Sequence, residues 1–166
     1  MNSPNVNELL TVLEAEEALY RDLKKISDKK TDIIVKGKVA ELENLVKLEQ
    51  SLIFKLGKLE EKREELVGLI SEELGIDSSD LSISRLMEHV GENQVDKLKS
   101  IQGKMKSTIS SLKAVNQLNL NLIKNSLEYI DFSINLVTAA STVNNSYGNS
   151  GQVKSPDKRS FFDARL

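Results

Sequence analysis

Few residues of this 166-residue sequence could perform chemistry. It has no cysteine and a single histidine, His89, so neither a metal centre nor a catalytic histidine is expected. The acidic residues are scattered along predicted helix exteriors, and none forms a catalytic dyad with a base. The glycines form no phosphate-binding loop. We therefore predict a protein that is not an enzyme and needs no cofactor or metal.

Four charged residues stand where the helical pattern calls for an apolar side chain. They are Glu16 and Lys30 in one periodic segment, and Glu49 and Arg63 in the next. Facing residues of an antiparallel hairpin have a nearly constant sum of their numbers, and Glu16 with Arg63 gives the same sum as Lys30 with Glu49. We predict that both are cross-helix ion pairs, which fix register more than they add stability. The alternative is that each side chain reaches solvent separately.

Two long helices must position these charges. Apolar residues recur at helical spacing from about Asn5 to Lys36 and again from Val39 to Leu74, and each run ends near a glycine, Gly37 or Gly75. The short turn predicts an antiparallel helical hairpin. The second helix carries a heptad seam. Its two positions hold Leu45, Leu52, Leu59 and Leu66, and Leu42, Glu49, Leu56, Arg63 and Ile70.

The sequence pattern from residue 76 onward predicts a connector, a third long helix and a tail. Residues 76–91 should hold a short helix capped by Ser82, and the long helix should run from Glu92 to about Ser141. We predict an all-α fold: an elongated, coiled-coil-like three-helix bundle over residues 1–141. Residues 142–166 are polar and should form a flexible tail with a short recognition segment.

The long helix has two apolar rows. The first runs its whole length and is expected to pack on the hairpin. It comprises Leu98, Ile101, Met105, Ile109, Leu112, Val115, Asn119, Ile123, Leu127, Ile130, Ile134 and Val137. The second occupies only the C-terminal half and comprises Leu118, Leu122, Asn125, Tyr129, Phe132, Leu136 and Ala140. One helix of such a bundle cannot bury both rows. Because this helix is longer than either neighbour, it should also extend past the hairpin turn at Gly37, so that its last turns have nothing to pack on. We therefore predict that the second row binds a partner. The alternative is that the connector or the tail of the same chain covers it.

Asparagines interrupt the apolar rows. We expect Asn116, Asn119 and Asn125 to keep the free protein soluble and to offer their amides to a partner. The lysines of the long helix lack interleaved aromatic residues, and the net charge is -2, so nucleic acid is not an expected partner. No signal peptide or membrane-spanning run is present, which predicts a cytoplasmic protein without membrane insertion.

Three segments resemble the FlgN family of flagellar type III export chaperones. KGKVAELENLVKLEQSLIFKLGKLEEKREEL is similar to the family's second helix, where Glu49, Gln50, Glu60 and Arg63 stand at matching places. NQLNLNLIKNSLEYI resembles its C-terminal helix, with matches at Asn116, Asn119 and Leu122. SYGNSGQ, with Tyr147, Gly148 and Gly151, is similar to the Tyr-Gly element that follows that helix.

The resemblance implies a function. Members of the family keep hook-associated proteins, the hook-filament junction subunits, soluble before secretion and pass them to the export apparatus, without hydrolysing ATP themselves. In the family the C-terminal region binds the client, which suggests Leu118, Leu122, Asn125, Tyr129, Phe132 and Leu136 here. The family's tail tyrosine is associated with docking on the export gate, which suggests Tyr147. The resemblance assigns no role to Phe161 and Phe162, which could form a second contact or a mask over the second row.

A different class of function fits the same pattern. In a homo-oligomeric coiled-coil adaptor without a secretion role, the second apolar row would pair with its own copy, as in a homodimer. The two hypotheses differ in what binds the row, a client or the chain itself.

Overall fold

The computed structural model describes residues 3–144, with side chains over residues 3–141. These residues form α1 (Pro4–Val35), α2 (Val39–Leu74), a 3-10 turn (Ser78–Asp80), α3 (Ile83–Met87) and α4 (Glu92–Asn144). No strand occurs within this part of the chain, so the predicted all-α fold is confirmed. α4 continues three residues past the predicted Ser141. Predictions for Tyr147, Phe161, Phe162 and the tail from residue 145 onward lie outside the described residues.

Glycine ends both helices of the hairpin. Gly37 and Gly75 have φ angles of 66° and 65°, the left-handed conformation that glycine adopts without steric cost. Behind α1, the amides of Gly37 and Lys38 donate to the carbonyls of Ile34 and Ile33, which satisfies two carbonyls that the helix leaves unpaired. A glycine stands at this turn because it adopts a positive φ angle without the steric cost that a side chain would bring.

α1 and α2 form the antiparallel hairpin, and the heptad seam of α2 faces α1. Every residue of the seam is buried or half-buried, including the two charged members, Glu49 and Arg63. The tightest core lies where the N-terminal part of α1 meets α3 and the beginning of α4. Its side chains are Val6, Leu9, Leu10, Val12, Leu13, Leu66, Ile70, Leu86, Leu98 and Ile101. Ser82 caps α3 as predicted, since its hydroxyl accepts the amide of Arg85 at 3.2 Å.

α4 packs beside α1 in parallel. Near the start of both helices Gln94 donates to the Asn7 side chain at 2.9 Å, and farther along Thr108 donates to Glu17 at 3.2 Å. The last of these contacts joins Thr31 to Asn119 at 2.6 Å, and α1 ends one turn later. α1 therefore covers only the first half of α4.

The chain divides into two compact units, Met1–Ser126 and Leu127–Leu166. The first contains α1, α2, α3 and the beginning of α4, and the second is helical over its described residues, 127–144. The first apolar row is buried at Leu98, Ile101, Leu112 and Asn119, but exposed from Ile123 onward. The exposed residues agree with the prediction that the last turns of the long helix have nothing to pack on, whereas the prediction that the row packs on the hairpin is confirmed only up to Asn119.

Candidate functional site

The C-terminal half of α4 exposes a continuous set of large apolar side chains, here called the α4 apolar surface. It comprises Leu118, Leu120, Ile123, Leu127, Tyr129, Ile130, Phe132, Ile134, Leu136 and Val137. Tyr129 is 72% exposed and Phe132 62%. Of the residues predicted to bind a client, Leu118, Asn125, Tyr129, Phe132 and Leu136 are exposed and Leu122 is half-buried.

Helix geometry explains why the surface is so broad. At 100° per residue, the two apolar rows are neighbours and together cover more than half of the helix circumference between residues 127 and 137. Hydroxyls within this stretch do not break its apolar character, because they bond to their own helix. Ser126 donates to the Leu122 carbonyl at 2.8 Å and Ser133 to the Tyr129 carbonyl at 2.9 Å.

Charge is sparse on this surface. Lys124, Glu128 and Asp131 are the only charged residues between positions 118 and 144. Glu128 and Asp131 stand one turn apart beside Phe132, and neither forms an ion pair with a residue that the structure describes. The surface is therefore apolar with one acidic edge.

Two of the asparagines bond to α1, and the burial of Asn119 corrects its predicted role. Asn119 is only 4% exposed; it accepts from Thr31 at 2.6 Å and donates to the Ser27 carbonyl at 2.9 Å. Asn116 accepts from the Ser27 hydroxyl at 2.8 Å. Because α1 and α4 run in parallel, an amide at the apolar position 119 finds partners on α1. Asn116 and Asn125 are both exposed, and Asn125 makes no side-chain hydrogen bond with a residue that the structure describes.

The four charged residues of the hairpin lie as two cross-helix pairs. Lys30 donates to both oxygens of Glu49, at 2.7 and 2.8 Å, and both side chains are largely buried. Arg63 lies 3.6 Å from Glu16, which is too long for a hydrogen bond. Its guanidinium instead donates through two nitrogens to Glu60, one turn earlier on α2. The resemblance marked Glu60, but the pattern of apolar positions did not.

Glu16 is consequently an unusual buried acid. Its Oε1 has no hydrogen-bond partner among the described residues. Burial raises the pKa of Glu16, the charge of Arg63 opposes that shift, and the charge of Glu60 adds to it. The hydrogen bond from Arg63 lowers the pKa of Glu60. Neither carboxylate reaches a nucleophile or a bound group, so this cluster is structural.

Two further features were missed from the sequence. Ile53 and Phe54 are exposed on α2, where Leu52, Ile53 and Phe54 are consecutive and a helical seam can bury only one of the three. A cavity of about 170 Å³ also lies between the hairpin and the connector. Its lining is apolar apart from two side chains and comprises Leu9, Leu13, Arg63, Val67, Leu81, Ser82, Ile83 and Leu86.

No group of three histidine, cysteine or acidic side chains within the described chain could hold a metal ion. His89 is exposed on the connector. None of the described helices is both long enough and apolar enough to cross a membrane. The interaction that the exposed side chains of the α4 apolar surface can make is apolar contact with another molecule or segment.

Comparison with known proteins gives a family and one relative. The family model described as FlgN protein matches residues 1–155. The uncharacterized protein YvyG of Bacillus subtilis (strain 168) is 26% identical over 148 residues, which cover 89% of this chain and 90% of that protein. No solved structure matches the chain.

Proposed function

The chain belongs to the FlgN family of flagellar chaperones, and from this premise we propose that it binds flagellar hook-associated proteins in the cytoplasm and delivers them to the flagellar export apparatus. The α4 apolar surface is the proposed client site, with Leu118, Leu122, Asn125, Tyr129, Phe132 and Leu136 as contacts. FlgN is a family of chaperones rather than enzymes.

One observation carries this proposal: the described residues leave a contiguous set of large apolar side chains exposed on a single helix, α4. Burying one such side chain stabilises a complex by about 1.5 to 3 kcal/mol. Tyr129 and Phe132 lie three residues apart, so one partner segment can cover both. A surface of this kind binds protein, because its aromatic and aliphatic side chains offer much apolar area and few charges.

The proposed mechanism is helix packing. A segment of the client folds as an amphipathic helix and lays its apolar face on the α4 apolar surface. Folding that segment costs several kcal/mol of conformational free energy, so the affinity should be moderate. Moderate affinity permits release when the complex reaches the export gate. Tyr147 is the proposed contact to that gate.

Paired substitutions on α4 test the client site. Tyr129→Ser with Phe132→Ser should abolish co-purification with hook-associated proteins of the host, while the helix content measured by circular dichroism stays unchanged. Phe54→Ser is the control, since Phe54 is 66% exposed on α2 and its substitution removes an exposed aromatic ring without touching α4. Client retained by the double variant, or lost equally in the control, would refute the site.

Light scattering separates this function from the homo-oligomeric adaptor. If the protein is a chaperone, mixing it with a client should give a complex whose measured mass includes one or more client chains. The double variant should not form this complex. If the protein alone forms a tight oligomer, the same substitutions dissociate it, and clients leave it unchanged, the adaptor replaces the chaperone.

A further inference from the structure

The sequence contains a second aromatic cluster whose partner is not assigned. Residues 158–165, KRSFFDAR, here called the FF segment, carry Phe161 and Phe162 between basic residues. We propose that in the free protein the FF segment binds the α4 apolar surface between residues 127 and 137 and is displaced by the client. This inference rests on the proposed function, since the surface it regulates is the client site.

Charge complementarity selects this occupant. Glu128 and Asp131 form the acidic edge of the surface and have no ion-pair partner among the described residues. The FF segment places Lys158 and Arg159 before its phenylalanines and Asp163 and Arg165 after them, so three basic residues and one acidic residue give it a net positive charge. Seating the phenylalanines beside Phe132 would therefore bring basic side chains to both carboxylates.

A second copy of the chain is a poorer occupant of the same surface. Pairing α4 with its own copy would bring two carboxylates from each chain into one interface, with a single lysine from each, Lys124, to offset them. Like charges at an interface cost free energy, whereas the FF segment carries the opposite sign. The apolar area alone does not distinguish these occupants, but the acidic edge does.

The chain is long enough for this contact. Phe161 follows the end of α4 by roughly 17 residues, which span up to about 56 Å when extended. Returning from Asn144 to Tyr129 along the helix takes only about 22 Å. A tether of this length gives an effective concentration on the order of millimolar, enough for a weak contact to be populated within one molecule.

Such a mask would have two consequences. It would cover the apolar surface while no client is present, and so limit self-association. It would also lower the apparent client affinity by the fraction of molecules in which the FF segment is bound. Removing the phenylalanines should therefore tighten client binding several-fold rather than weaken it.

Disulfide trapping in the full-length free protein tests the contact. The chain has no cysteine, so engineered pairs report without background. Asn135→Cys on the acidic side of α4 is combined either with Ser160→Cys, beside the phenylalanines, or with Ser150→Cys, ten residues earlier. A tail without the contact should close the longer 135/160 loop about twofold more slowly than the 135/150 loop. With the contact, the 135/160 pair should oxidise at least about fivefold faster than the 135/150 pair.

Two further variants complete the test. Phe161→Ser with Phe162→Ser, and separately Glu128→Lys with Asp131→Lys, should each remove the advantage of the 135/160 pair. A 135/160 rate at or below that of the 135/150 pair overturns the proposal, and so does a disulfide that forms between molecules instead of within one. No client is present in this experiment, so its failure leaves the client site standing. Conversely, a trapped tail in a protein that binds no client would refute the function alone.

Discussion

At the scale of single residues, Glu16 is a buried acid whose surroundings disfavour its negative charge. Its folded-state pKa is raised by burial above the ordinary value of 4.5, so the folded protein holds the proton more tightly than the unfolded chain does. The stability that this carboxyl contributes is fully present below its ordinary pKa. It is lost as the pH rises through the raised pKa, because the folded state must then bury a charge.

Glu16→Gln should therefore stabilise the protein at neutral pH and gain little at acidic pH. The amide keeps the shape of the side chain without its charge. The melting temperature of the variant should exceed that of the unaltered protein at pH 7.5, and the difference should shrink toward pH 4. Scanning calorimetry at both values measures it. A variant that is less stable at pH 7.5 would mean that the attraction of Arg63 outweighs the cost of burial.

The buried Asn119 should contribute more to the free energy of unfolding than the exposed Asn121 does. Asn119→Ala removes two hydrogen bonds of a buried side chain, one accepted from the Thr31 hydroxyl and one donated to the Ser27 carbonyl, which should cost about 1 to 3 kcal/mol of unfolding free energy. Asn121→Ala removes only an exposed hydrogen bond from Gln117, so it should change stability by less than about 0.5 kcal/mol. Urea unfolding gives both values, and equal losses would argue against the buried network.

At the scale of the helices, the turn glycines set where the hairpin folds. Gly37 has a positive φ, and Gly37→Ala should destabilise the protein by about 1 kcal/mol. Gly57 lies exposed within α2 with nothing near the position of an added Cβ, so Gly57→Ala should stabilise by a similar amount. Chemical denaturation measures the change in unfolding free energy for each variant, and changes of opposite sign would support the role of the turn. A gain in stability from both substitutions would contradict it.

The helices were readable from the sequence because local signals define them. The bounds of α2 follow from a heptad pattern that lies between two glycines. The exposure of the last turns of α4 also followed, because the predicted helix is longer than either neighbour, but the residue at which exposure begins did not. The apolar row looks the same on both sides of Ile123, yet only its first half is covered.

The partners of the polar side chains likewise followed from the sequence only where local signals determine them. An asparagine in an apolar row could face a partner, water or another helix, and only the parallel packing of α1 beside α4 assigns Asn119 to Ser27 and Thr31. The hairpin pairs were easier, because an antiparallel turn fixes which positions face each other. Even there the sequence pattern did not reveal that Arg63 would turn toward Glu60 on its own helix.

At the scale of the whole molecule, the chain has one helical unit with a buried core and a C-terminal unit whose large apolar side chains are exposed over its described residues, 127–141. Residues 127–141 expose nearly all of their side chains, so their helix has little besides its own backbone hydrogen bonds to stabilise it. A partner would supply the missing burial. This is the physical basis for placing client binding there, in a family of flagellar chaperones.

Hydrogen exchange with and without a purified hook-associated protein tests that placement most directly. In the free protein the amides of residues 127–141 should exchange much faster than those of α1 and the hairpin core, because the described residues offer few contacts against local opening and the proposed FF segment contact is weak. In the complex those same amides should become protected while α2 around Phe54 stays unchanged. Protection that appears on α2 or the connector and leaves residues 127–141 as fast as before would contradict the account.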